Sequence, residues 1–164
     1  MAGVRGFSGD VFYVMTRQDA DASAAKHRLQ LLAGTKRVHI VRALFSSGGS
    51  VAASNQQLIR YASGVTVAAG STSNDPLNGG DGSVSVPGGV TCRVWSGANS
   101  AAPTGTMNGR LATVDLAAAG GQFDTGLLPK GYFALAPGES LIWYCGVSGA
   151  NITVTCSLRF TVEP

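Results

Sequence analysis

The stretch ITVTCSLRFTV, Ile152 to Val162, alternates without a break. Ile152, Val154, Cys156, Leu158, Phe160 and Val162 fall in one register, and Thr153, Thr155, Ser157, Arg159, Thr161 and Glu163 fall in the other. Period two is the signature of a strand with one buried face, because successive side chains of an extended chain point to opposite sides. Extended, those eleven residues reach about 36 Å, enough to cross a whole β-sandwich. The preceding Ser140 to Cys145 is also strand-like, and Gly149-Ala150-Asn151 lies between the two. The expected arrangement is turn, strand, turn, strand: a hairpin that closes the core.

The rest of the chain carries the same kind of signal. Val11 to Thr16, His27 to Ala33, Lys36 to Phe45, Gln57 to Ala68, Val90 to Trp95, Leu111 to Leu116 and Tyr132 to Leu135 read as strands, with a short one at Ser83 to Val86. Lys36 to Phe45 is apolar on both faces, which predicts a central, covered strand. Ser63-Gly64 interrupts its strand and suggests a bulge or a corner. Ser46 to Ser50, Ala69 to Gly89, Gly97 to Gly105 and Ala117 to Lys130 read as loops. The second of these holds Asn-Asp-Pro, Asn-Gly-Gly and Asp-Gly, all turn formers. Helical signal is confined to Asp19 to Leu32, where Arg28-Leu29-Gln30-Leu31 alternates and argues for a strand. A single helical turn over Ala20 to Lys26 stays open. About ten short strands at this spacing predict an all-β fold, an antiparallel β-sandwich, with the jelly roll as one way to connect it. The expected layout is a flexible N-terminal arm over residues 1–10 and one sandwich domain over 11–164.

Composition fits that reading. Only 13% of the 164 residues are charged, and 23 are glycine. Few charges and many small side chains suit short strands, tight turns and surfaces that pack against other protein. The charge is uneven. Met1 to Arg60 has eight Lys and Arg against three Asp, a net of +5, and the remainder nets −2. No dense basic run exists, so solvated strand faces or acidic protein neighbours are expected rather than direct nucleic-acid contact. No secretory h-region and no apolar span of membrane length appear. Three cysteines (Cys92, Cys145 and Cys156) without an export signal suggest thiols made in a reducing cytosol.

Each motif with chemical potential has a plainer reading. Gly138-Glu139-Ser140-Leu141-Ile142 lacks the last glycine of a nucleophile elbow and follows Pro137, so it reads as a type II turn. His27 and His39 lie in predicted strands beside basic residues, and surface or interface positions are expected for both. The cysteines lack paired metal-ligand spacing and read as small core hydrophobes. A Cys145–Cys156 disulfide requires the two to face each other across the terminal hairpin. Asp75, Asn78 and Asp81 do not follow an EF-hand spacing and read as turn residues, with Asp19 and Asp21 weaker still. Asn151-Ile152-Thr153 matches a glycosylation triplet but serves a turn equally well. Trp95, Trp143, Tyr144 and Tyr61 could stack on sugars or bases, yet both faces of the Trp143 strand are apolar, which favours burial. No catalytic, cofactor-binding or metal-binding residue is assigned, no cofactor is expected, and the chain is not expected to be an enzyme.

Four stretches taken together have a familiar look: KRVHIVRALFSSGGSVAASNQQLIRYASGVTVA, SNDPL, VTCRVWSGANSAAPTG and ALAPGESLIWYCGVSGANITVTCSLRFTVE. The sequence from Lys36 to Glu163 resembles small virion proteins of tailed bacteriophages. Its marks are an Ile-Arg-x-x-Ser-Gly step (Ile59 to Gly64) and a Pro-Gly-Glu-x-Leu turn before an alternating strand; Met1 to Thr35 carries none of them. The resemblance implies an auxiliary capsid or decoration (cement) protein. Such a protein oligomerises with itself, binds major capsid or other virion proteins, and resides in the virion after assembly in the bacterial host cytoplasm. The alternative is a glycan- or receptor-binding β-sandwich module of a phage tail or fibre.

Overall fold

The structure is a computed structural model that describes residues 11–20, 26–48, 54–67, 69, 72–73, 77–78, 86–95, 102–116, 120–145 and 152–164. The expected arm over residues 1–10 lies outside them. The strands are β1 (Phe12–Ala20), β2 (Lys26–Leu32), β3 (Val38–Gly48), β4 (Ser54–Tyr61), β5 (Thr72–Ser73), β6 (Leu77–Asn78), β7 (Thr91–Val94), β8 (Met107–Leu116), β9 (Gln122–Asp124), β10 (Ala134–Leu135), β11 (Ser140–Cys145) and β12 (Ile152–Val162). A 3-10 turn at Pro87–Gly89 is the sole helical element among the described residues.

The strands form two antiparallel sheets. Sheet A runs β10-β3-β12-β1-β6, with β9 also on the β10 side of β3, and sheet B runs β5-β7-β2-β11-β4-β8. The pairing is nested: β1 with β12, β2 with β11, β3 with β9 and β10, and β4 with β8. A chain doubled on itself in this way and then rolled is a jelly roll. Strands β5, β6 and β7 are additions, inserted between β4 and β8, that widen both sheets.

The terminal strands do not form the expected hairpin. β11 lies in sheet B and β12 in sheet A, so the chain between them passes from one sheet to the other. Strand length explains the choice. β12 is paired along nine positions with β1 and ten with β3, a match that the six-residue β11 could not supply. β11 instead pairs along its whole length with β2 and β4. The separation also removes the geometry proposed for a Cys145–Cys156 disulfide, and both residues are free buried thiols.

Both strands still bury one apolar row each. Val154, Cys156, Leu158 and Phe160 face Leu141, Trp143 and Cys145 in one core cluster. Phe45 of sheet A and Trp143 of sheet B meet at 5.8 Å between ring centroids, and Phe12 stacks on Phe160 at 5.9 Å. The polar side chain of Gln56 enters this layer. The Gln56 Oε1 accepts hydrogen bonds from the Trp143 indole N–H at 2.6 Å and the Cys145 thiol at 3.0 Å. The polar tip of a core tryptophan is thereby satisfied without water.

Several boundaries differ from the sequence reading. β1 runs on to Ala20, and β3 continues through Ser46, Ser47 and Gly48, which pair with Thr155, Val154 and Thr153. Pairing along β12 overrides the weak strand preference of Ser and Gly. The expected loop at 117–130 contains β9, and from there to β10 the chain follows the edge of β3, with Leu128 N–H bonded to Val41 C=O and Ile40 N–H to Phe133 C=O. Val86 is not in a strand, and residues 83–85 of the short strand expected there lie outside the described ones, as do 21–25 of the open helical turn.

Candidate functional site

The residues with chemical potential are mostly enclosed. Ser140 is fully buried and accepts a hydrogen bond from the Gln30 side-chain amide at 2.9 Å. The turn before it is type II: Glu139 N–H bonds to Ala136 C=O at 3.0 Å, and Gly138 holds φ at 79°, where other residues are strained. Both histidines are buried, not at the surface. His27 sits edge-on to Trp95 at 4.3 Å, and His39 Nε2 lies 2.9 Å from Glu163 Oε1. That contact, with smaller help from Arg37 and Lys130, holds the Glu163 carboxyl below its usual range. Burial pushes the Cys145 thiol up to about 12 and the Cys156 thiol well above its usual value, so neither is a thiolate nucleophile at neutral pH. Trp95, Trp143 and Tyr61 are buried and offer no stacking platform, and Tyr144 is half-buried. Among the described residues no group of His, Cys, Asp and Glu is placed to hold a metal ion. Asn78 falls in β6, and Asp75, Asp81, Asp21 and Asn151 lie outside those residues. No described helix is long and apolar enough to cross a membrane.

The two sequence marks of the resemblance meet at one end of the sandwich. From β4, the Arg60 guanidinium donates to Ala134 C=O at 3.0 Å and to Asn108 C=O at 2.9 Å, and it lies 5.5 Å from the Phe133 ring centre. Asn108 donates its amide to Glu139 Oε1 at 2.7 Å, and Glu139 Oε2 accepts the Ala136 N–H at 2.8 Å. A Cβ on Gly138 would sit 3.2 Å from the Ser63 Cβ. The corner ties the β10 edge of sheet A to strands β4, β8 and β11 of sheet B. Its role is mechanical: the hydrogen bonds of Arg60 Nη1 and Nη2, Asn108 and Glu139 named here all go to the fold.

The middle of the outer face of sheet B is covered by the chain itself. Gln30, Ser140, Ile142, Ile59 and Tyr61 point away from the core, yet all are buried. After β4, fifth in the sheet, the chain must reach β5 at the opposite edge, and on the way Val65 and Val67 pack on Ile59, Tyr61 and Ile142 as a second apolar cluster. The return leg is bound to the outgoing one. Thr66 and Thr104 exchange both backbone hydrogen bonds, and Ala62 N–H bonds to Thr106 C=O. Further along, Gly34 touches the 3-10 turn so closely that a Cβ there would lie 2.0 Å from the Gly88 carbonyl oxygen.

Where β3 and β12 run side by side, the outer face of sheet A is largely polar and reaches solvent. Arg42 of β3 stands directly opposite Arg159 of β12, and Leu44 opposite Ser157; together these four line a shallow depression. Like charges in opposite register repel. Asp124 of β9 answers one of them, with both carboxylate oxygens on the Arg42 guanidinium and Oδ1 also accepting the Gly126 N–H. The Arg42 hydrogen bond, the Gly126 N–H and the field of Arg159 hold the Asp124 carboxyl at about 2, well below the aspartate norm. The sequence reading missed this group because Arg42 falls in a strand that looks apolar on both faces and Asp124 in a stretch without strand signal. The polar register of β12, with Arg159 and Ser157 in it, was the available clue.

No family model, curated protein or solved structure matches the chain.

Proposed function

We propose that the chain is a structural component of a bacteriophage virion, a decoration or cement protein that stabilises the particle by oligomerising and binding neighbouring capsid subunits. The observation that carries this reading is the asymmetry of the sandwich: the middle of one outer face is covered by the chain that follows β4, and on the other Arg42, Leu44, Ser157 and Arg159 line a depression in contact with solvent. A jelly roll with one free sheet face is a module suited to packing against a neighbour. The jelly-roll topology serves capsid and lectin domains alike, so the topology alone does not choose between them. Burial of Trp95, Trp143 and Tyr61 weighs against the glycan-binding alternative. The sequence resemblance and the low charge point the same way. Mass spectrometry of purified phage particles, with analytical ultracentrifugation of the isolated chain, tests the reading. The expected result is presence in particles and a defined oligomer; a monomer absent from particles ends it.

A further inference from the structure

Where β3 and β12 run side by side on the outer face of sheet A, the described residues place two arginines against one carboxylate. Arg42 and Arg159 are held in opposite register, and the only carboxylate at them among the described residues, Asp124, is committed to Arg42. Arg159 is exposed and forms no ion pair among the described residues. Beside the two arginines, at the next pair along on the same face, lie the half-buried Leu44 and Ser157, an apolar contact beside a hydrogen-bond donor. A fold that keeps two arginines together at a cost in repulsion has a site that an incoming carboxylate would stabilise.

We propose that this face docks an acidic protein surface, and that Arg159, with Arg42 beside it, receives an Asp or Glu carboxylate of the partner in the depression over Leu44 and Ser157. The kind of partner rests on the virion reading above; the charge argument does not. An extended polyanion such as nucleic acid fits less well. Asp124 sets a fixed negative charge at the rim, and no dense basic run surrounds the pair. A second copy laid face to face would bring the same arginines together and is disfavoured for the same reason.

The test is fluorescence anisotropy of the full chain with a fluorescein-labelled octaglutamate peptide, at low and high salt. The wild-type chain should bind at low salt and release as screening sets in. Arg159→Gln should weaken binding on the order of fivefold, the effect of losing one exposed ion pair. Arg110→Gln, on the β8 edge of sheet B, should leave it unchanged. Removing a like charge should not lower the melting temperature of Arg159→Gln, so lost binding is separable from lost folding. No wild-type binding, an equal loss in Arg110→Gln, or tighter Arg159-dependent binding of a single-stranded oligonucleotide of equal charge overturns the proposal. A chain found in particles that ignores octaglutamate keeps the virion reading and loses this one.

Discussion

The two sheets share one core but treat their outer faces in opposite ways. On sheet B, Ile142 and Ile59 point outward and are as inaccessible as core residues, because Val65 and Val67, which follow β4, pack across them. On sheet A, the matching positions hold Arg42, Leu44, Ser157 and Arg159, in contact with solvent. The middle of one face is therefore a second small core, and the matching positions of the other are surface. Outward position in a sheet does not decide burial; what the connection does afterwards decides it.

That contrast can be broken first at the anchor of the excursion. Gly34→Ala places a methyl inside the Gly88 carbonyl and should destabilise by about 3 kcal/mol, near the top of the range for overpacking. Urea unfolding measures it, and a loss under about 1 kcal/mol would mean the excursion is not held there. Next, Ile142→Ala should cost about 2 to 3 kcal/mol as a core truncation does, whereas Leu44→Ala on the open face should cost under about 1 kcal/mol. Equal costs would erase the distinction between the faces. Between these lies the shared interior: Gln56→Ala leaves the Trp143 indole N–H without its acceptor and should cost about 2 kcal/mol, with a shift in tryptophan fluorescence as a second readout.

The smallest effect belongs to the open face. At neutral pH, Asp124→Asn should change stability by under about 1 kcal/mol, because the Arg42 pair is solvent-exposed. Its acid dependence has a definite sign. The Asp124 carboxyl is held at about 2 in the fold, below the ordinary value of 3.8. Its stabilisation is therefore complete above about pH 4 and is lost as pH falls through that window toward 2. Stability measured from pH 5 to 2 should fall less steeply in Asp124→Asn than in the natural chain; parallel curves would show that the ion pair contributes nothing.

Much of the architecture was legible in residue order. The period-two run of β12 defined its buried row before any partner was known, and Cys156 and Phe160 sit where the alternation puts them. The Pro137-Gly138 turn followed from the φ that only glycine takes easily at that position. β3 was expected to be central and covered; it is paired on both edges, but on its outer face Arg42 and Leu44 reach solvent. β9 was not legible, because Gln122-Phe123-Asp124 is too short for a periodic signal and is held by the edge of β3 rather than by its own preference. The histidines were misplaced for a related reason: polar neighbours in sequence say little when Trp95 and Glu163 arrive from far away in the chain.

Local chemistry, then, determined which residues extend, where the chain turns and which side of each strand avoids water, since those depend on backbone sterics and alternation over a few residues. Tertiary structure decided the partners. It sent β11 and β12 to opposite sheets by matching strand lengths, drew Arg60, Asn108 and Glu139 into one corner, and set Asp124 on Arg42. It also covered one apolar outer face while leaving two arginines facing each other on the other. Those outcomes depend on pairings between residues tens of positions apart, and no short-range pattern encodes them.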